Sequence, residues 1–157
     1  MKKRIIKEEI EEIQHLWAEK IIGIGKAYSD GGDYYELADK MIITLYGYRE
    51  GTVLFKPTKA KNRQFRMTGA GALSYFVGRN DQYPEDHGFA LKPWKNVRFE
   101  NAGFILGNSQ AIAMGNYFFE DMAGNEIKVE YTLGFFRAEK GSLKINLHHS
   151  SLPYNES

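Results

Sequence analysis

Cysteine is absent from the 157 residues, which excludes disulfides, thiolate nucleophiles and every thiolate zinc site. Cysteine-ligated nucleotide deaminases and cyclohydrolases are thereby ruled out. A dominant sign of charge is missing as well. Lysine and arginine number 21 against 20 aspartates and glutamates, so no broad field gathers nucleic acid or an anionic membrane, and neither is expected as a partner. No apolar run approaches the roughly 20 residues of a membrane span, because charges and glycines interrupt each one. The start, Met1 to Arg4, is basic, but Lys7-Glu8-Glu9 and Glu11-Glu12 stand where a secretory signal would need apolar residues, so a cytoplasmic location is expected. His15, His87, His148 and His149 lack metal-site spacing even with Asp86 beside His87, and no glycine-rich phosphate cradle occurs. Neither a metal nor an organic cofactor is expected.

The chain is rich in rings, with ten Tyr and ten Phe, which suits an interior or an interface built from aromatic side chains. Its length fits one domain over residues 1–157. Ile6, Ile10, Ile13, Trp17, Ile21 and Ile24 recur every three or four residues and predict an amphipathic helix to about Tyr28. Asp30-Gly31-Gly32 ends it, and Asp33 caps a second helix whose stripe is Tyr34, Leu37, Ala38, Met41, Ile42, Leu45 and Tyr46. A short strand is predicted over Thr52 to Phe55, stopped by Pro57, and a third short helix over Gly69 to Val77. From Asn96 onward the pattern becomes four strands: Asn96 to Leu106, Gln110 to Glu120, Glu126 to Arg137 and Ser142 to His149. Gly107-Asn108, Ala123-Gly124-Asn125 and Lys140-Gly141 separate them, which describes an antiparallel meander. Helices first and strands afterwards indicate an α+β fold, helices over one face of a sheet.

That order, ending in His148-His149-Ser150-Ser151-Leu152-Pro153, resembles the nuclear transport factor 2-like superfamily, nearest to its SnoaL-like and calmodulin-dependent-kinase association-domain branch. Trp17, the Gly31-Gly32-Asp33 break and Phe55-Lys56-Pro57-Thr58 agree with it. The resemblance implies a cone of curved sheet and helices around a small-molecule pocket. It also implies pairing of the exposed sheet face into a homodimer or larger homo-oligomer. Ser150 stands where the kinase association domain often has a pocket arginine, and no arginine lies between Lys128 and Phe136. Members of the superfamily include isomerases, cyclases, dehydratases, hydrolases and non-catalytic modules, so the fold does not choose a reaction.

Strand alternation groups Lys144, Asn146, His148 and Ser150 on one face of the last strand and Leu143, Ile145, Leu147 and His149 on the other. His148 is the first candidate for proton transfer, with Asn146 or Ser150 fixing its tautomer; the alternative is a histidine that only bonds neighbouring strands. Glu130, mid-strand, reads as a general base if desolvated or as the partner of a cation across the sheet. Arg98 and Glu100 share a face and fit either a pocket or a charge ladder. Lys56, Lys59, Lys61, Arg63 and Arg66 form the most basic stretch, a mouth for an anionic ligand (phosphate or carboxylate) or a solvated surface. Tyr46, Tyr75, Trp94 and Tyr117 fit a pocket lining or a core. Gly115 beside Asn116 suggests a bulge or a close approach, with Asn116 a pocket donor. Three functions fit: a cofactor-independent enzyme using proton transfer, an assembly module with Leu143, Ile145 and Leu147 at its interface, or a sensor of an anionic metabolite.

Overall fold

A computed structural model of the chain describes residues 3–156; Met1 and Lys2, half of the basic start, lie outside them. Helices α1 (Lys7–Ser29) and α2 (Tyr34–Leu45) form the expected hairpin. Asp33 accepts from the Glu36 N–H at 3.1 Å, the N-cap bond its side chain was expected to make. Along α1, Ile10, Trp17, Ile21 and Ile24 are buried, but Ile6 precedes the helix and is exposed, and Ile5 takes the buried place. Leu37 of α2 is likewise exposed. The short strand β1 (Leu54–Lys56) follows, then α3 (Gly69–Val77), a single 3-10 turn (Phe89–Leu91), and the long strands β2 (Trp94–Leu106), β3 (Gln110–Asp121), β4 (Glu126–Arg137) and β5 (Leu143–Ser151).

The strands make one sheet in the order β1-β5-β4-β3-β2. All neighbours are antiparallel except β1, which runs parallel to β5. Helix α1 packs against α2 and β2, and α2 against α3 and β5, so the helices cover one face. That face carries Ala111, Ala113, Tyr117 and Phe119 of β3, Val129, Tyr131, Leu133 and Phe135 of β4, and Leu143, Ile145, His148 and Ser150 of β5, all buried.

Two irregularities set which side chains reach this interior. In β5 the register passes from Phe135↔Ile145 to Gly134↔Leu147, so Asn146 is an extra residue and the alternation changes phase there. His148 and Ser150 therefore share the covered face with Leu143 and Ile145, rather than with Lys144 and Asn146 as simple alternation predicts. Leu147 is thrown across Gly134, where an added Cβ would stand 2.7 Å from the Leu147 Cβ. In β2 the register shifts between Asn101 and Gly103, opposite Gly115. A Cβ at Gly115 would lie 2.2 Å from the Glu100 carbonyl oxygen, so the glycine answers to the irregularity of the neighbouring strand rather than to a helix or ligand.

Candidate active site

The parallel register Phe55↔His148 brings the end of β1 onto the end of β5. Pro57 then turns the chain so that Thr58 faces Ser150, with hydroxyl oxygens 2.5 Å apart. Trp17 of α1, Phe76 and Tyr75 of α3, Phe89 of the 3-10 turn and Tyr117 of β3 complete a small cavity of about 10 Å³ with Phe55, Pro57, Thr58, His148 and Ser150. A polar space of that size holds about one water molecule.

The polar groups around it form one connected chain. Trp17 Nε1 donates to Tyr46 Oη at 3.0 Å, and Tyr46 Oη meets His148 Nδ1 at 2.8 Å. His148 Nε2 lies 3.1 Å from Tyr117 Oη, which in turn is hydrogen-bonded to Ser150 Oγ. The Lys59 backbone N–H donates to Tyr75 Oη at 3.3 Å. Phe55 stacks on the imidazole, ring centroids 4.7 Å apart.

No group lining this cavity is ionised at neutral pH. Burial, aided by the neighbouring His149, lowers the His148 pKa to about 3. Burial lifts the Tyr117 and Tyr46 hydroxyls well above the ordinary phenol value and Tyr75 to about 12. Beside the cavity, the Lys56 ammonium donates to the carbonyls of Ser150 at 3.0 Å and Thr58 at 3.4 Å. It braces the backbone on both sides of the cavity without entering it, and partial burial lowers its pKa.

Tyr75 and Phe89, stacked with centroids 5.6 Å apart, separate this cavity from an outer recess of about 200 Å³. Lys59, His87, Lys92 and Trp94 help line that recess. Trp94 is thus a wall of the recess and not of the cavity, its indole N–H spent on the Phe89 carbonyl at 3.1 Å.

Of the residues singled out in the sequence, His148, Ser150, Tyr46, Tyr75 and Tyr117 are brought together here. Others are not. Glu130 is exposed on the open face of the sheet, in a row with Glu100, Asn116 and Ser151. It lies on the opposite side from His148, because Tyr131 and Val129 take the inward positions of β4. Asn116 stands in the same outward row, and the extra-residue position of Asn146 turns it outward as well, its Oδ1 3.0 Å from where a Gly134 Cβ would be. Arg98 is exposed and ion-paired with Glu100 and Glu126, the charge ladder of the two readings. Arg66 is fully buried, but its guanidinium is occupied by Asp86 at 2.6 and 2.8 Å and by the carbonyls of Gly71 and Arg63. It ties the loop carrying Asp86 to α3, with four of its five N–H donors engaged and the Glu85 carboxylate 4.0 Å from Nη2. Thr58 and Trp17 join the site without a functional signal of their own in the sequence: Trp17 belongs to the apolar stripe of α1, and Thr58 has only its place just after the strand-ending Pro57. Among the described residues no group of three or more His, Asp or Glu is placed to hold a metal ion.

An α+β cone with helices over one face of a curved sheet, around a small chamber, is the nuclear transport factor 2-like fold. The putative calcium/calmodulin-dependent protein kinase II association domain from Xanthomonas campestris shares this fold, with a TM-score of 0.59 at 18% identity over 100% of this chain and 97% of that one. Within that class the chain belongs to the metal-independent carbonic anhydrase family, whose model matches residues 8–152. It is 42% identical over 155 residues to a metal-independent carbonic anhydrase of Nostoc sp., covering 97% of this chain and 76% of that protein. It is also similar to the iota-carbonic anhydrase from a cyanobacterium, solved in complex with bicarbonate, with a TM-score of 0.95 at 40% identity over 99% of this chain and 97% of that one.

Proposed function

We propose that this chain is an enzyme that hydrates carbon dioxide to bicarbonate, and runs the reverse reaction, in the cavity between Thr58, Tyr75, Tyr117, His148 and Ser150. The observation that carries the reading is the hydroxyl-lined, uncharged cavity of about 10 Å³ in a chain of this family. Its uncharged walls suit a neutral substrate, and its volume is that of one water. The three atoms of carbon dioxide need more room than it offers, and Tyr75 and Phe89, the wall shared with the outer recess, are the side chains placed to give way.

In this reading the water oxygen forms a bond to carbon while one C=O electron pair moves onto oxygen. Hydroxyl donors already aimed at that oxygen stabilise the developing charge without reorganising, the main source of rate in such sites. The proton released from the water passes along hydroxyls, each accepting one proton and giving up its own, toward Tyr75 and solvent in the outer recess. Thr58 Oγ1 meets Ser150 Oγ at 2.5 Å, and Tyr75 lines both the cavity and the outer recess, in support of that route. His148, its pKa lowered to about 3 by burial, is a hydrogen-bond partner here and not the resting place of the proton.

The anionic ligand expected from the sequence is on this reading bicarbonate, held by neutral donors in place of the basic stretch. Stopped-flow hydration with a pH indicator, on protein treated with a chelator, tests it. Acceleration over buffer that the chelator leaves unchanged is expected, and no acceleration overturns the reading.

We also infer a homodimer through the open face of the sheet. Leu54, Phe65, Met67, Ile112, Met114 and Ile105, the last 71% exposed, leave apolar surface there, and Leu54, Phe65, Met67, Leu147 and His149 line a recess of about 520 Å³. Of the expected interface residues only Leu147 faces this side, since Leu143 and Ile145 are buried under the helices.

A further inference from the structure

The polar chain behind the cavity has a direction. An indole N–H can only donate, so Tyr46 Oη accepts from Trp17 at 3.0 Å. The other hydrogen-bond partner of that oxygen among the described residues is His148 Nδ1, at 2.8 Å. Tyr46 is 1% exposed, so its proton has no water to turn to. If His148 carried its proton on Nδ1, Tyr46 Oη would accept from both sides and its own O–H would be buried without an acceptor, a state proteins avoid. The satisfied arrangement puts the Tyr46 proton on the Nδ1 lone pair and the imidazole proton on Nε2. From there Nε2–H donates to Tyr117 Oη at 3.1 Å, and the Tyr117 proton goes to Ser150 Oγ. Ser150 then has its own hydrogen free for Thr58 or for whatever occupies the cavity.

We propose that Tyr46 is a positioning residue that locks His148 in its Nε2–H tautomer, so that the hydrogen bonds from Trp17 through Tyr46, His148, Tyr117 and Ser150 all donate toward the cavity. The direction follows from the donor and acceptor inventory alone. What it does for the reaction rests on the carbonic anhydrase reading: a chain donating inward presents hydrogens where a bicarbonate oxygen gains charge, and a reversed chain would present lone pairs there. Tyr46 is not itself a lining residue of the cavity; it acts through His148.

The full chain labelled with 15N-histidine, observed by long-range 1H–15N correlation at neutral pH, reads the tautomer directly, with His148→Gln identifying the His148 signals. The wild type should show a protonated Nε2 and a bare Nδ1. Tyr46→Phe should populate both tautomers and lower kcat for carbon dioxide hydration about ten-fold with KM little changed. A wild-type His148 protonated on Nδ1, or on both nitrogens, overturns the inference. So does a Tyr46→Phe variant that keeps the single tautomer, or one that loses it at full rate. Should Tyr46→Phe not fold, the wild-type spectrum still decides. A wild type that shows the Nε2–H tautomer but does not hydrate carbon dioxide would refute the functional reading and leave the hydrogen-bond direction standing.

Discussion

Phe55 lies face to face with His148, centroids 4.7 Å apart and ring planes 14° from parallel, because β1 and β5 pair in parallel at that residue. The stacked ring removes one route by which water could solvate a charged imidazole, and with Trp17 edge-on against His148 it keeps the ring neutral.

That neutrality has a signature in stability. The folded-state pKa of His148, about 3, lies below the unfolded value, so the unfolded chain binds the extra proton first. The contribution is intact above about pH 6.5 and is lost as pH falls, by about 1.4 kcal/mol per pH unit for one proton. Urea unfolding between pH 6.5 and 5 should show this slope, and His148→Gln should flatten it by one proton.

Removing one hydroxyl from the cavity tests its chemistry. Thr58→Val keeps the shape and Ser150→Ala the strand, and each should lower kcat for hydration roughly 100-fold, the usual cost of one missing donor at a developing charge. Glu130→Gln, on the opposite face of the sheet, should leave the rate unchanged. Stopped-flow rates on the three proteins check both statements, and a collapse in Glu130→Gln would return that carboxylate to the mechanism.

Gly134 permits the extra residue in β5. Gly134→Ala places a methyl 2.7 Å from the Leu147 Cβ, on a strand that cannot swing aside. A loss of about 1–3 kcal/mol is expected from such overpacking, read by chemical denaturation, and part of the hydration rate should go with it as His148 shifts.

The Arg66–Asp86 pair is a structural clamp, with both side chains almost wholly buried. Asp86→Ala leaves the guanidinium unpaired and should destabilise the fold by about 3–5 kcal/mol. A thermal melt close to wild type would show the pair to be dispensable.

Leu147→Asp puts a carboxylate into the apolar recess of the open sheet face while leaving the interior of the sheet untouched. Light scattering should then report half the mass of the wild type. A wild type that is already monomeric sinks the dimer reading.

Much of this was legible in the sequence. Trp17 and the isoleucines around it fixed α1 through their spacing, Asp33 fixed the start of α2, and the paired turn residues fixed the long strands to within a residue or two. The nuclear transport factor 2-like resemblance and the α+β class hold. What alternation could not supply was the phase. A period of two says which residues share a face, yet Asn146 adds one residue and moves His148 from the row of Lys144 to the row of Ile145. The polar rows were read as pocket, whereas burial favours the rows with tyrosine and valine, which carried Glu130 and Asn116 outward. Thr58 follows a proline in an irregular segment, where no period exists to mark it. Tyr117 fits a pocket and a core equally well in the sequence, because its value lies in a hydroxyl whose partners come from 31 and 33 residues further along the chain.

On the carbonic anhydrase reading, a chamber without a charged wall treats the two ends of the reaction unequally. Carbon dioxide would enter without giving up a charged hydration shell, and no fixed ion would have to be displaced to admit it. Bicarbonate, once made, would sit among dipoles with no counter-charge inside the wall, a less comfortable place than water. The same neutrality that admits the gas would hasten the departure of the anion, so turnover would be governed less by how tightly the site grips its product than by how readily Tyr75 and Phe89 let it go.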